Sequence, residues 1–191
     1  MTLALTKVAW DHAPTVLGYR RLAVRRAIWV LSLGVPPVVA LGGVGHVPHA
    51  AAAFALIIVL VAPFLPWVVV TYFRRHRVAA ILQAYPWREV PCWLPPRATG
   101  SPATIAVTFG DDLTGTFRTI PFPVAELENN QPDRIWFAGD PRFGGVVSPV
   151  GGHYPVRVVP HAPRREEVGG EGFELALRVG LVRRSGKGTR T

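Results

Sequence analysis

Between Ala27 and Phe73 the chain runs 47 residues without one Asp, Glu, Lys or Arg. A helix rising 1.5 Å per residue needs about 20 apolar residues to cross a hydrocarbon core roughly 30 Å thick. The stretch is therefore too long for one span and long enough for two joined by a turn. Gly42, Gly43, Gly45 and Pro48 mark that turn. The expected order is a transmembrane helix over 27–44, a turn over 45–50 and a second transmembrane helix over 51–73.

Charge at the ends of the stretch predicts its orientation. Arg20, Arg21, Arg25 and Arg26 precede it, Arg74, Arg75 and Arg77 follow it, and the turn carries neither Lys nor Arg. Moving one Arg to the bilayer centre costs about 2.5 to 3.5 kcal/mol on insertion scales, so basic flanks stay cytoplasmic. The reading is a two-span protein of the cell membrane with a cytoplasmic leader over 1–26, an external turn and both termini inside. The same arginines are expected to attract anionic lipid, at roughly 1 kcal/mol each. Trp29, Trp67, Tyr72 and Phe73 suit the headgroup belt. Pro36, Pro37, Pro63 and Pro66 remove backbone donors and predict kinks. Broken helices can mark transport sites, but with no charged residue in either span these read as kinked anchors. Ala51 and Ala55 have the spacing that lets apolar helices approach, which leaves self-association as an expectation.

Composition agrees with a membrane chain. Hydrophobic residues make up 49% and charged residues 17%, against about 25% charged in ordinary soluble domains, which excludes a disordered chain. The formal charge of +9 invites a nucleic-acid partner, but much of the excess flanks the apolar stretch, and nucleic acid is disfavoured. The basic set is almost all Arg, with only Lys7 and Lys187 as lysines, a usage that compositional bias explains in part. One cysteine, Cys92, excludes an intramolecular disulfide and a four-Cys zinc site. A cleaved signal is disfavoured, because the basic run starts only at Arg20, behind a mixed leader holding Trp10, Asp11 and His12.

Beyond the stretch, Val78, Ile81, Leu82 and Tyr85 recur at helical spacing, predicting an amphipathic helical extension over 74–86 that Pro86 ends. From 87 to 160 the pattern changes to short alternating runs. Extended chain is expected around Trp87 and Trp93, with strands at Thr104–Phe109, Thr116–Phe122, Arg134–Ala138, Gly145–Ser148 and Tyr154–Val159. Turns are expected at Gly110-Asp111-Asp112, Gly139-Asp140-Pro141 and Gly151-Gly152. Five or six short strands make a small cytoplasmic antiparallel β barrel or roll. The tail over 161–191 is basic and partly disordered in composition, with Phe173, Leu175, Leu177 and Val179 alternating as one more edge strand. The fold class is thus an α+β membrane protein, a two-helix hairpin followed by a small antiparallel β barrel or roll.

Chemical motifs are sparse. Ser185-Gly186-Lys187 resembles a fragment of a phosphate loop, yet Gly180 is one residue too far upstream and Gly188 stands where Ser or Thr is needed. His46 and His49 are two imidazoles without a third ligand, so no metal site is expected. Asp111 with Asp112, or Asp140 with Glu126, read as turn chemistry before acid–base catalysis. Cys92 with His153 or His161 lacks local context for a nucleophile, and a partly buried thiol is expected. No catalytic residue and no cofactor is assigned.

The run Trp136-Phe137-Ala138-Gly139-Asp140-Pro141-Arg142-Phe143-Gly144-Gly145-Val146-Val147, with Tyr85-Pro86-Trp87 and Pro91-Cys92-Trp93, resembles a group of uncharacterised actinobacterial integral membrane proteins. These pair an N-terminal two-helix hairpin with a small β domain ending in such a run and a Pro/Gly-Gly turn, here Pro149 to Gly152. The resemblance covers most of 20–159 and brings no activity, so no catalytic or binding residue carries over. Asp140-Pro141-Arg142-Phe143 reads as a tight hairpin connection, with Asp140 paired to Arg142. Trp136, Asp140, Arg142 and Phe143 are the expected partner-contact loop, aromatic and basic as contact surfaces are. The functional expectation is a non-enzymatic, membrane-anchored interaction or scaffolding protein with an unidentified protein partner. The alternatives are an accessory subunit of a membrane transport or secretion assembly, and a membrane-associated nucleic-acid binder.

Overall fold

The structure is a computed structural model, and it describes residues 4–43, 55–56, 59–61, 63–94, 104–110, 113–120, 131, 133–161 and 172–182. The chain divides into two compact units, one formed by Met1–Tyr19 with Arg77–Thr191 and the other by Arg20–His76. Its elements are β1 (Ala4–Val8), a 3-10 turn (Ala9–Asp11), α1 (Ala13–Gly43), α2 (Leu65–Phe73), α3 (Arg75–Ala84), β2 (Pro86–Trp93), β3 (Thr104–Phe109), β4 (Leu113–Ile120), β5 (Arg134–Asp140), β6 (Gly144–Ser148), β7 (Val156–Pro160) and α4 (Phe173–Arg178).

The strands of the first unit close on themselves. The order β2-β3-β4-β7-β6-β5 returns to β2, because Arg88, Glu89, Val90 and Pro91 also pair with Phe137, Trp136, Ile135 and Arg134. Every pairing is antiparallel, and the result is a six-stranded barrel. The period-2 alternation of side chains then decides what faces in. Val90, Ile105, Val107, Phe117, Ile135, Phe137, Val147, Val156 and Val158 fill the interior as one cluster. Phe109 stands edge-on to Phe117 and Phe137, with centroids 5.9 and 4.9 Å away.

A second core lies outside the barrel wall. Ala138 of β5 and Val146 of β6, each one residue from an inward-facing neighbour, pack with Ala9, Trp87, Val179 and the Val78, Ile81, Leu82 and Tyr85 face of α3. β6 is consequently buried at all five residues, which accounts for its unbroken Gly-Gly-Val-Val run. A strand covered on both faces loses the alternation that a half-exposed strand keeps.

Several expectations need correction. The leader over 1–26 is no separate segment: Ala4 and Val8 pair with Arg88 and Pro86 of β2, so β1 belongs to the β unit. The expected helix start at Ala27 moves to Ala13, because no breaker separates Ala13 from the apolar run and Pro14 falls in the first turn, where its missing N–H is tolerated. One helix among the described residues is long and apolar enough to cross a membrane, Ala13–Val39. In the second apolar segment Pro63 and Phe64 form a turn before the nine-residue α2, with Pro66 at its start. α2 alone is too short to span about 30 Å. The expected edge strand at Phe173–Val179 is instead helix α4. Gly139 and Asp140, expected in the turn, are the last residues of β5. The His46/His49 turn, Asp111, Asp112, Glu126, Ser185-Gly186-Lys187 and the end of the expected strand at Pro121 and Phe122 lie outside the described residues.

Candidate functional site

The expected contact loop sits where β5 passes into β6, and its shape follows from three backbone requirements. Gly139 (φ +148°) and Gly144 (φ +95°) adopt conformations that L side chains resist. Between them Pro141, Arg142 and Phe143 turn the chain, with the Phe143 N–H donating to the Asp140 carbonyl at 3.1 Å. Asp140 then locks the turn from the side. Its Oδ1 accepts the Arg142 backbone N–H at 2.9 Å and the Arg142 Nε–H at 3.1 Å, while Oδ2 accepts from Nη2 at 2.9 Å. This is a two-pronged ion pair of planar groups, the strong geometry for Arg with a carboxylate. The expected pairing of Asp140 with Arg142 is therefore present.

The loop's aromatic residues are engaged by the chain itself. Phe143 meets Phe173 of α4 edge-on, centroids 5.8 Å apart. A Cβ built on Gly172 comes within 3.5 Å of Asp140 Oδ2, so the start of α4 lies directly against the ion pair. Trp136 stands edge-on to His12 at 5.4 Å and tilted against Trp87 at 6.0 Å. Arg142 is only partly exposed, at 27% of its side chain. The four residues thus form a corner against which Phe173 and His12 pack, with Trp136, Arg142 and Phe143 each left half-buried.

Tyr85 gives the corner its one perturbed group. Its hydroxyl is buried with no hydrogen-bond partner among the described residues, and burial first, then the Asp140 charge, push its pKa above the ordinary phenol value. Cys92 is also perturbed. It packs against the barrel interior, and burial, assisted by Asp133, pushes its thiol up to about 11. At neutral pH it is a thiol, the form without nucleophilic power. On the far side of β5, Arg134 and Glu89 form an exposed ion pair at 2.7 Å that raises the Arg134 pKa.

The basic residues expected to flank spans fall into separate settings. Arg20, Arg21 and Arg25 are exposed along α1, whereas Arg26 is half-buried. Arg74 caps α2, and the Arg75 guanidinium carbon lies 3.9 Å above the Tyr72 ring. Arg77 is exposed on α3.

Sequence reasoning missed the lock between the start of α1 and the barrel. Trp87 Nε1–H donates to Thr15 Oγ1 at 3.0 Å, with both residues fully buried. Gly18 packs so closely on His153 that any side chain there would meet the His153 carbonyl. A five-residue strand and a helix start carry little periodic signal. Among the described residues no three His, Cys, Asp or Glu side chains converge as a metal site. No family model matches the chain, and neither a curated protein nor a solved structure matches it.

Proposed function

We propose that this chain is a membrane-anchored, non-enzymatic interaction or scaffolding module, with the β barrel held in the cytoplasm by two spans over 27–44 and 51–73. One observation carries the reading. Among the described residues, all the exposed large apolar side chains except Leu17 and Trp93 lie in the Arg20–His76 unit. Only 11% of the most apolar window of α1 is buried, whereas the core helix of a globular domain would be mostly covered. Exposure on that scale costs roughly 25 cal/mol per Å² of apolar surface in water, and a bilayer removes the cost. The 31 residues of α1 extend about 46 Å, which exceeds the hydrocarbon thickness.

The barrel interior is filled by side chains as a packed core. Tethering raises the effective concentration of such a domain for partners at the same surface.

Protease accessibility of the full chain in oriented vesicles tests the reading. Cleavage within 87–160 only in inside-out vesicles is the expected result. Cleavage only in right-side-out vesicles overturns the two-span topology and places the barrel outside. Release of the chain from membranes by alkaline carbonate overturns the anchor itself.

A further inference from the structure

We propose that Arg20, Arg21 and Arg25 seat on the headgroups of anionic phospholipids at the face from which α1 enters the bilayer. The inference rests on the membrane anchor argued above and names its lipid partner.

Charge provides the first argument. From His12 to Arg88 the sequence contains no Asp or Glu, yet it holds Arg20, Arg21, Arg25, Arg26, Arg74, Arg75, Arg77 and Arg88. In a soluble helix such arginines would face carboxylates three or four residues away. Here no such carboxylate exists, and among the described residues no ion pair is assigned to Arg20, Arg21 or Arg25. Among the described residues the chain supplies them no counter-charge, which leaves a place for an external anion.

Geometry provides the second. At 100° per residue, Arg20, Arg21, Val24, Arg25, Ile28 and Leu31 share one arc of roughly 140°. All six are exposed, with Val24, Ile28 and Leu31 near 60%. The opposite arc carries buried Leu22 and Pro37 and half-buried Arg26. On that arc the stripe carries Arg20, Arg21 and Arg25 and then Ile28, Leu31, Val35, Val38 and Val39, interrupted by Ser32, with exposed Trp29 just beside it. Along the axis Arg20 to Arg25 covers about 7.5 Å, the depth of one headgroup layer, before hydrocarbon begins. A protein partner would need to match both an acidic patch and an apolar one across that step. An anionic bilayer presents the two in that order and at that spacing.

The test reconstitutes the full chain into phosphatidylcholine vesicles containing spin-labelled phosphatidylglycerol or spin-labelled phosphatidylcholine and compares the motionally restricted fraction of each label. Wild type is expected to prefer the anionic label about fivefold, as one well-placed arginine supplies. R20Q/R21Q/R25Q is expected to lose the preference, and R88Q/R118Q/R178Q, with the same change in net charge, to keep it. Equal restriction of both labels by wild type, in a chain that floats with the vesicles, overturns the headgroup assignment and leaves the anchor standing. Equal loss in the two triple variants overturns it as well, because net charge then explains the effect. A wild-type chain that floats with neither vesicle overturns the anchor, and this proposal with it.

Discussion

Trp87 of β2 donates its indole N–H to the hydroxyl of Thr15 in the first turns of α1, across 72 positions of sequence, at 3.0 Å and with neither residue exposed. This bond joins the start of the long helix to the barrel wall. Removing the hydroxyl leaves a buried N–H with no acceptor, which costs about 1–3 kcal/mol. T15V is expected to lower the unfolding free energy of the full chain in detergent by that amount, read as a lower denaturant midpoint by tryptophan fluorescence, and T15S to restore it. An unchanged midpoint for T15V would show that the bond contributes nothing net.

The ion pair at the β5–β6 turn predicts a coupling. D140N removes the partner of an Arg142 side chain that is 27% exposed and loosens the acceptor of the Arg142 backbone N–H. The loss is expected at about 1–3 kcal/mol, below that of a fully buried pair because water still reaches Arg142. R142Q alone should cost less, since Asp140 keeps its backbone donor. The double variant D140N/R142Q should lose less than the sum of the two, and strict additivity would show that the residues do not interact.

The barrel was legible in sequence where alternation was clean. Thr104–Phe109 is half-exposed and reads directly as β3, and the glycines around Asp140 placed the β5–β6 connection to within a residue or two. α4 was misread for a definite reason. Phe173, Leu175, Leu177 and Val179 alternate, but the residues that bury are Ala176 and Val179, three apart. A small residue at the closest approach carries the helical period, and counting only large apolar side chains hides it. The packing of the contact loop was not legible, because Phe143 and Trp136 meet Phe173 and His12, which no local pattern reveals. The apolar stretch was legible as a membrane signal in composition, whereas α1 begins 14 residues earlier because a helix start packed on a barrel needs no hydrophobic period of its own.

Close approach of backbones predicts an effect from a single methyl group. Gly18 of α1 lies against the His153 carbonyl, and an added Cβ would overlap that backbone atom. Neither a strand connection nor a helix turn can yield as a flexible side chain would, so G18A is expected to destabilise the β unit by about 1–3 kcal/mol or more. G42A serves as the control, because a Cβ there meets nothing within 4 Å. Thermal unfolding followed by near-ultraviolet circular dichroism distinguishes them. Equal melting of both variants would mean that α1 does not hold this contact in solution.

Cys92 predicts a pH profile. Burial raises its pKa from the ordinary 9.0 to about 11, so at pH 8 its thiolate fraction is roughly a hundredfold below that of an unperturbed thiol. Alkylation by iodoacetamide should be slower by about that factor in the folded chain and should climb steadily as pH rises toward 11. The sign for stability follows from the same shift. Folding favours the protonated thiol, so its contribution is complete below pH 9 and is lost as pH rises from 9 through 11. Denaturant should abolish the slow labelling and return the rate to that of a free cysteine. Rapid labelling of the folded chain at pH 8 would place the thiol in solvent and remove Cys92 from the barrel interior.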